Sequence, residues 1–404
     1  GDLHWMDYSK PQKNINRQQY AADVADRVIR ACKTIEHRSD LPLAMAETRL
    51  KIQRRTPSRQ RLEWARPINA ARLGKPPKNQ QEVYAQQAQW IQSNPSTQVV
   101  LQVVRIGELG LTAIPNEVYG ITGLKLKRQS PLQGTFNLEL ANGATGYIPP
   151  PEQHRLGGYT TWPARTAGLA ESAEPLIVET LLGLLETVSK RKRRSLKTWQ
   201  SAYSEALTKQ DPIAYWRLED MDSTRVEDAV GNHHAHYKGA VALFLPGPSG
   251  AGLSFNSKPG SKEWSASESS YGNRSVYLAG GHLATQPHPV RGNYSVTFWF
   301  KNSLPADARD TTGVLLSTGS EAILIAGKNQ PKHSGKLILK SGQSSFFGKT
   351  RITTQQWQHL TVTRDDQRIR IYLDGRPVPE IDTKVETPLQ LTQLLIGSDG
   401  NSMT

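Results

Sequence analysis

The chain has 404 residues, more than one ordinary hydrophobic core serves, so two domains of roughly 200 residues each are expected. Hydrophobic residues at 37% and charged residues at 21% describe a globular protein, and no apolar run reaches the ~20 residues of a membrane helix. The net charge of +14 raises nucleic acid as a partner, but the basic residues are scattered. Their local runs, Arg49 to Arg61 and Lys190 to Arg194, lack interleaved aromatics, so nucleic acid is set aside.

The opening Gly1-Asp2-Leu3-His4 has neither an initiator Met nor the charged-then-apolar pattern of a signal peptide. Residues 17 to 37 place Tyr20, Val24, Val28, Ile29 and Cys32 at helical spacing. Cys32 is the single cysteine, which excludes an internal disulfide, and it reads as a small buried apolar side chain. Gln98 to Val104 reads as a buried strand, with a second at Glu108 to Ile114. Helical patterns occupy about 79 to 93 and about 169 to 189; in the latter Leu176, Ile177, Thr180, Leu181, Leu184, Leu185 and Val188 form a broad stripe. Helices mixed with strands predict an α/β first domain. Lys190 to Arg194 then places positive charge at the negative end of the last helix dipole. Polar sequence continues to Asp211, and Pro212 bars further helix. The domains are therefore assigned as 1–194 and 212–404, with a linker at 195–211.

Beyond Pro212 the pattern changes to short strands separated by Gly, Asn, Asp, Ser and Pro, as an all-β sandwich requires. Strands are expected at 213–218, 275–279, 294–301, 314–317, 336–340, 358–364, 368–373 and 393–397, and Asp374-Gly375 supplies a tight turn. Residues 256–274 are Ser-rich and read as a long surface loop. Trp216, Trp299 and Trp357 lie within strands and are read as core rather than as sugar-stacking rings. His233, His234 and His236 cluster without further ligands at metal-site spacing, and no carboxylate pair spaced for glycoside hydrolysis stands out.

Ile213-Ala214-Tyr215-Trp216-Arg217-Leu218, Ser295-Val296-Thr297-Phe298-Trp299-Phe300, Trp357 to Arg364 and Ile371-Tyr372-Leu373-Asp374-Gly375 resemble, in order, signatures of laminin-G-like jelly rolls within the concanavalin A-like superfamily. The resemblance covers 212–404. It implies an all-β antiparallel jelly-roll sandwich that binds a glycan or a surface protein, in some members with calcium.

Pro115-Asn116-Glu117, followed by Gly123 and Lys127, resembles the Pro-Gly-Glu stretch of neutral ceramidases, whose Glu is a zinc ligand; Glu117 holds that position. Gly146-Tyr147-Ile148, Glu152 and Tyr159 resemble a second stretch of the same family, with Tyr147 on a family tyrosine. Ala144, which has no donor atom, stands where the family has its zinc-ligating tyrosine. Gly1-Asp2-Leu3-His4 resembles the family's Gly-Asp-Val-Ser, with His4 in place of the nucleophilic serine. An imidazole there serves as general base or metal ligand, or packs on Trp5. The family's two zinc-binding histidines precede the Gly-Asp motif, so the resemblance covers the C-terminal half of its catalytic domain.

The expectation is thus multidomain: a partial ceramidase-like α/β domain followed by the sandwich. It implies a fragment of a metal-dependent amide or ester hydrolase, with zinc in the full-length parent, a lipid-amide substrate, and a secreted, periplasmic or cell-surface location. Glu117 is the expected metal ligand, and His4 and Tyr147 the expected catalytic side chains. The competing expectation is a non-catalytic surface-binding or adhesion protein with a degenerate enzyme domain.

Overall fold

The computed structural model describes residues 15–195, 201–221, 224–248, 273–285, 293–386 and 393–400. The chain forms two compact units, Gly1–Lys197 and Thr198–Thr404.

In chain order the first unit runs α1 (Arg17–Cys32), β1 (Leu43–Gln53), α2 (Arg59–Ala71), α3 (Gln80–Ser93), β2 (Ser96–Ile106), β3 (Leu109–Ala113), β4 (Glu117–Val118), α4 (Gly120–Gln129), β5 (Gly134–Leu138), β6 (Tyr147–Ile148), α5 (Pro151–Leu156) and α6 (Ala173–Ser189). Its sheet has the order β1-β2-β3-β5, antiparallel except for the parallel β3–β5 pair. Alternation in β1 and β2 pairs Ala46 with Val103 and Leu50 with Val99 on one face. That face meets Ile177, Leu181, Leu182 and Leu185 of α6, all buried. At about 1.5–3 kcal/mol for each buried branched side chain, this stripe is the main hold of α6 on the sheet. A buried ion pair adds direction: Lys125 Nζ lies 3.2 Å from both oxygens of Glu174, and Thr122 Oγ1 donates to Glu174 Oε1 at 2.9 Å.

Two expectations change in this unit. α1 forms, with Asn16 and Gln19 making a reciprocal capping box, but none of its residues is buried and Cys32 is exposed. Helical spacing and a cap suffice to form that helix, and they do not specify that anything packs on it. The basic run after α6 turns back onto the unit's own carboxylates instead of only complementing the helix end. Arg191 pairs with Glu108, and Arg193 pairs with Glu179 and Glu186.

The second unit begins with α7 (Ala202–Thr208), inside the stretch expected as a linker. Ser201 and Ser204 form its capping box, and Tyr203 packs edge-on to Trp299 and His359. The strands follow as β7 (Arg225–Val226), β8 (Ala235–Lys238), β9 (Val241–Pro246), β10 (Arg274–Leu278), β11 (His282–Thr285), β12 (Tyr294–Lys301), β13 (Thr311–Ser317), β14 (Glu321–Ala326), β15 (Lys336–Ser341), β16 (Ser344–Arg351), β17 (Trp357–Asp365), β18 (Arg368–Leu373), β19 (Ile381–Lys384) and β20 (Leu395–Ile396). They make an eight-stranded sheet, β16-β15-β14-β13-β20-β11-β8-β7, a four-stranded sheet, β12-β17-β18-β19, and a two-stranded β10-β9 ribbon. Among the described residues all pairings in this unit are antiparallel, which is the sandwich expected from the sequence. Phe300, Leu360, Val362, Ile369 and Ile371 of the smaller sheet share one core with Leu316, Ile323, Ile325, Leu337 and Leu339 of the larger. Asp374 and Gly375 both take positive φ, 53° and 68°, as the turn residues require.

Residues 213–218 are not a strand, with only a single bridge between Trp216 and Asp228. The buried Asp228 carboxylate instead accepts the backbone N–H groups of Tyr215, Val230 and His233 at 2.8, 3.1 and 3.0 Å. A side chain supplies what the sequence pattern suggested a ladder would supply. The Ser-rich segment lies almost wholly outside the described residues.

The sheets are also joined by charge. Arg364 of β17, 2% exposed, donates to Glu321 Oε1 of β14 at 2.7 Å, and Thr318 and Ser320 donate to Glu321 Oε2. Burial and the Glu321 charge push the nearby Tyr294 phenol up to about 12. Arg364→Ala leaves Glu321 buried without its cation and should destabilise the second unit by about 3–5 kcal/mol, read as a lower urea midpoint. The paired change Arg364→Met with Glu321→Leu should recover most of that loss. A loss under about 1 kcal/mol for Arg364→Ala, the range of exposed pairs, would show that the pair does not support the sandwich.

Candidate functional site

Two places bring polar and aromatic side chains together at or near the surface, one in each unit. In the first, β4 and β6 pair in parallel and set Glu117 opposite Tyr147. Gly146 makes the approach feasible: its φ is 85°, and a Cβ there would collide with the Thr166 carbonyl. Its own carbonyl accepts the Glu117 N–H at 3.0 Å. Tyr159 stands edge-on to Tyr147, ring centroids 5.5 Å apart. Three residues singled out from separate sequence stretches therefore meet.

The hydrogen bond with Tyr159, partial burial, and the charge and hydrogen bond of Glu117 push the Tyr147 phenol up to about 12. Tyr147 consequently stays protonated near neutral pH and acts as a donor, with Glu117 as acceptor. Nearby in sequence, His154 on α5 is lowered by burial and by the Arg55 charge, so it is held neutral. His4 lies outside the described residues, and Ala144 contributes no donor atom.

Among the described residues, no three His, Cys, Asp or Glu side chains converge in a metal-holding arrangement, in either unit. Glu117 is joined by protonated phenol instead of imidazole or a second carboxylate, so the described donor set by itself does not fit zinc. The three histidines near residue 233 are likewise dispersed. His234 Nδ1 accepts the Asp228 N–H at 3.2 Å, whereas His236 sits on β8 opposite Arg225 and Ala284.

The second surface is the outward face of β12 and β17. In β12, Tyr294, Val296, Phe298 and Phe300 point to the core, and Ser295, Thr297, Trp299 and Lys301 point away. In β17, Leu360 and Val362 point inward, so Trp357, His359 and Thr361 share the outward face. Cross-strand pairing sets Trp299 against His359 and Lys301 against Trp357. The Trp299 and His359 rings lie 5.0 Å apart, and Lys301 Nζ sits 5.7 Å from the Trp357 centroid. Thr297 Oγ1 is 2.8 Å from His359 Nε2, and Asp374 accepts the His359 N–H at 2.9 Å. Burial lowers His359, against the opposing Asp374 charge, so the ring is a neutral hydrogen-bonding group.

Trp299 and Trp357 are half-buried and lie on the outward side of their strands, not between the sheets as expected, and Tyr203 of α7 packs edge-on to the Trp299 ring. Trp216 alone of the three packs on buried clusters, with its indole N–H donating to the His233 carbonyl at 2.7 Å. The parity of Ser295, Thr297 and Lys301 with Trp299 was the available signal.

A family model described as the concanavalin A-like lectin/glucanases superfamily, of laminin-G type, matches residues 274–404. No curated protein sequence matches the chain. Among solved structures, domain 4 of an extracellular arabinanase from Geobacillus stearothermophilus, in complex with arabinotriose, is 15% identical over 46% of this chain and 82% of its own, with a TM-score of 0.29. A carbohydrate-binding module from Bacillus subtilis is 16% identical over 28% of this chain and 72% of its own, TM-score 0.20. A pentraxin from Limulus polyphemus is 22% identical over 30% and 59%, TM-score 0.22. No helix among the described residues is long and apolar enough to cross a membrane.

The Glu117–Tyr147 contact has a direct spectroscopic consequence. Since Glu117 contributes to the raised value, Glu117→Gln should bring Tyr147 ionisation down from about 12 towards 10. Difference absorbance of the phenolate, with Tyr147→Phe identifying the signal, reads this shift. An unchanged titration would separate the two side chains.

Proposed function

We propose that the second unit is a saccharide-binding module and that the first unit carries part of a hydrolase site. The supporting observation is the outward set on β12 and β17, where two indole rings share a sheet face with hydroxyls, a neutral imidazole and one amine. Indole presents an apolar surface to the C–H face of a pyranose, and the polar neighbours supply donors and acceptors for its hydroxyls. The lectin and glucanase superfamily description of residues 274–404 accords with that use. Arg368 on the same sheet is paired with Asp382, which leaves this face suited to neutral sugars.

For the first unit, Glu117, Tyr147 and Tyr159 suit one wall of an amide-cleaving site of the ceramidase-like kind. Hydrolysis adds water across the C–N bond, with oxygen going to the carbonyl carbon and a proton to the leaving nitrogen. Tyr147 donates a hydrogen bond to the carbonyl oxygen as charge grows there, and Glu117 accepts or orients a proton. A lipid amide is the substrate class, encountered outside the cytoplasm. The zinc that this family uses enters no step here.

Screening the protein on a panel of neutral oligosaccharides should show binding, and Trp357→Ala should weaken it by about tenfold or more at unchanged circular dichroism. No binding by a folded protein would overturn the module's role. Glu117→Gln and Tyr147→Phe should each slow hydrolysis of a short-chain N-acylsphingosine by about 10²–10³-fold. Saccharide binding without any hydrolysis would favour the adhesion reading.

A further inference from the structure

A basic and aromatic ridge runs across the first unit, built by α2, α3, the stretch after β1 and the 159–167 segment. The Arg61 guanidinium lies 4.8 Å from the Trp64 ring centroid and 5.9 Å from that of Tyr84. Tyr84 in turn meets Trp162 edge-on at 5.9 Å. Six residues beyond Tyr84 on α3, the Trp90 ring carries two guanidiniums, Arg54 at 4.8 Å and Arg165 at 4.9 Å. Tyr84, Gln87 and Trp90 recur at three-residue steps, which keeps them on one side of α3.

The charge on this ridge is not neutralised locally. Arg54 donates to the carbonyls of Asn94 and Ser96, Arg55 to those of Thr161 and Ala167, and Arg165 to the Gln87 amide oxygen. None of Arg54, Arg55, Arg61 and Arg165 is ion-paired to a carboxylate among the described residues; Glu171 acts on Arg55 only at longer range. Their neighbours Arg59 and Arg72 are paired, with Glu63 and Glu82. The unpaired four are also held by rings and carbonyls, so binding an anion costs little further ordering. Trp162 is 44% exposed and Tyr159 61% exposed at the end of the same ridge.

We propose that this ridge binds a sulfated glycan chain. Guanidinium forks match the tetrahedral oxyanions of sulfate esters, and the exposed Trp162 and Tyr159 rings suit the C–H faces of the sugars between them. Stacked nucleobases fit less well, because the Trp64 and Trp90 rings already carry guanidiniums. A lipid surface fits less well too, since guanidiniums are interleaved with the rings that build the ridge and none of those residues is aliphatic. This surface is separate from the neutral-sugar face on the sandwich, so either assignment can fail alone.

The probe is a heparin-derived dodecasaccharide, titrated calorimetrically against the full chain at about 0.15 M salt. Arg61→Gln with Arg165→Gln should weaken binding by about tenfold or more, and Trp162→Ala, which removes no charge, by about threefold or more. Arg309→Gln with Lys332→Gln in the second unit removes the same charge from exposed positions and should change affinity by less than about twofold. A desulfated chain of equal length should bind at least about tenfold more weakly. Equal losses from the two double variants would reduce the effect to the net charge of +14 and overturn the proposal. Tighter binding to single-stranded DNA or to phosphatidylserine vesicles than to the dodecasaccharide would overturn it as well.

Discussion

Arg364 occupies an inward position of β17, and its ion pair with Glu321 of the facing sheet ties that strand's orientation to the rest of the sandwich. Side chains on a strand alternate strictly between faces, so a one-residue slip would exchange every inward group for an outward one. With Arg364, Val362 and Leu360 inside, Thr361, His359 and Trp357 have to be outside. The aromatic face therefore follows from the same register that buries the ion pair. Slipping β17 would bury His359 and carry Arg364 outward, leaving the buried Glu321 carboxylate without that cation, both costly. Glu380 reinforces the arrangement from the opposite edge, accepting the N–H groups of Lys349 and Thr350 and so joining the β18–β19 turn to β16.

The first unit relies on a different device. Its sheet and α6 make a conventional apolar core, but the proposed site sits on the two-residue strands β4 and β6, which are too short to be stable by pairing alone. They are held by their surroundings: the Glu139 carboxylate accepts the Val118 N–H, and Ile148 and Val118 are buried in the main core. Rigid backbone beside exposed polar side chains is what a site needs, and Gly146 is the residue whose replacement would most directly separate Glu117 from Tyr147.

Much of this was legible in the sequence where the pattern had a single physical meaning. Alternation marked β12, β17 and β18 closely, and the stripe of α6 marked most of its buried face, although Leu176 within it is exposed. Legibility failed where two readings share one pattern. Aromatic residues in a strand were assigned to the core by type, although Ser295, Thr297 and Lys301 shared their parity. The helical spacing of α1 said nothing of whether a partner surface exists. Residues 213–218 looked like a strand, yet Asp228 holds them through its side chain, a long-range contact that no local pattern encodes. The run from Arg49 to Arg61 looked bare of aromatics because its rings come from Trp64 at i+3 and from α3. Glu117, Tyr147 and Tyr159 were legible only through the family resemblance; periodicity alone does not bring residues 30 and 42 positions apart together.

Indole N–H signals in a ¹⁵N-resolved spectrum report directly on whether the outward indoles of β12 and β17 form the proposed binding face. On titration with a neutral oligosaccharide that binds, the Trp299 and Trp357 signals, assigned by single substitution to Phe, should move while that of Trp216, donated to the His233 carbonyl, stays in place. Movement of Trp216 with Trp299 and Trp357 unaffected would put the sugar elsewhere and rule out this face as its site.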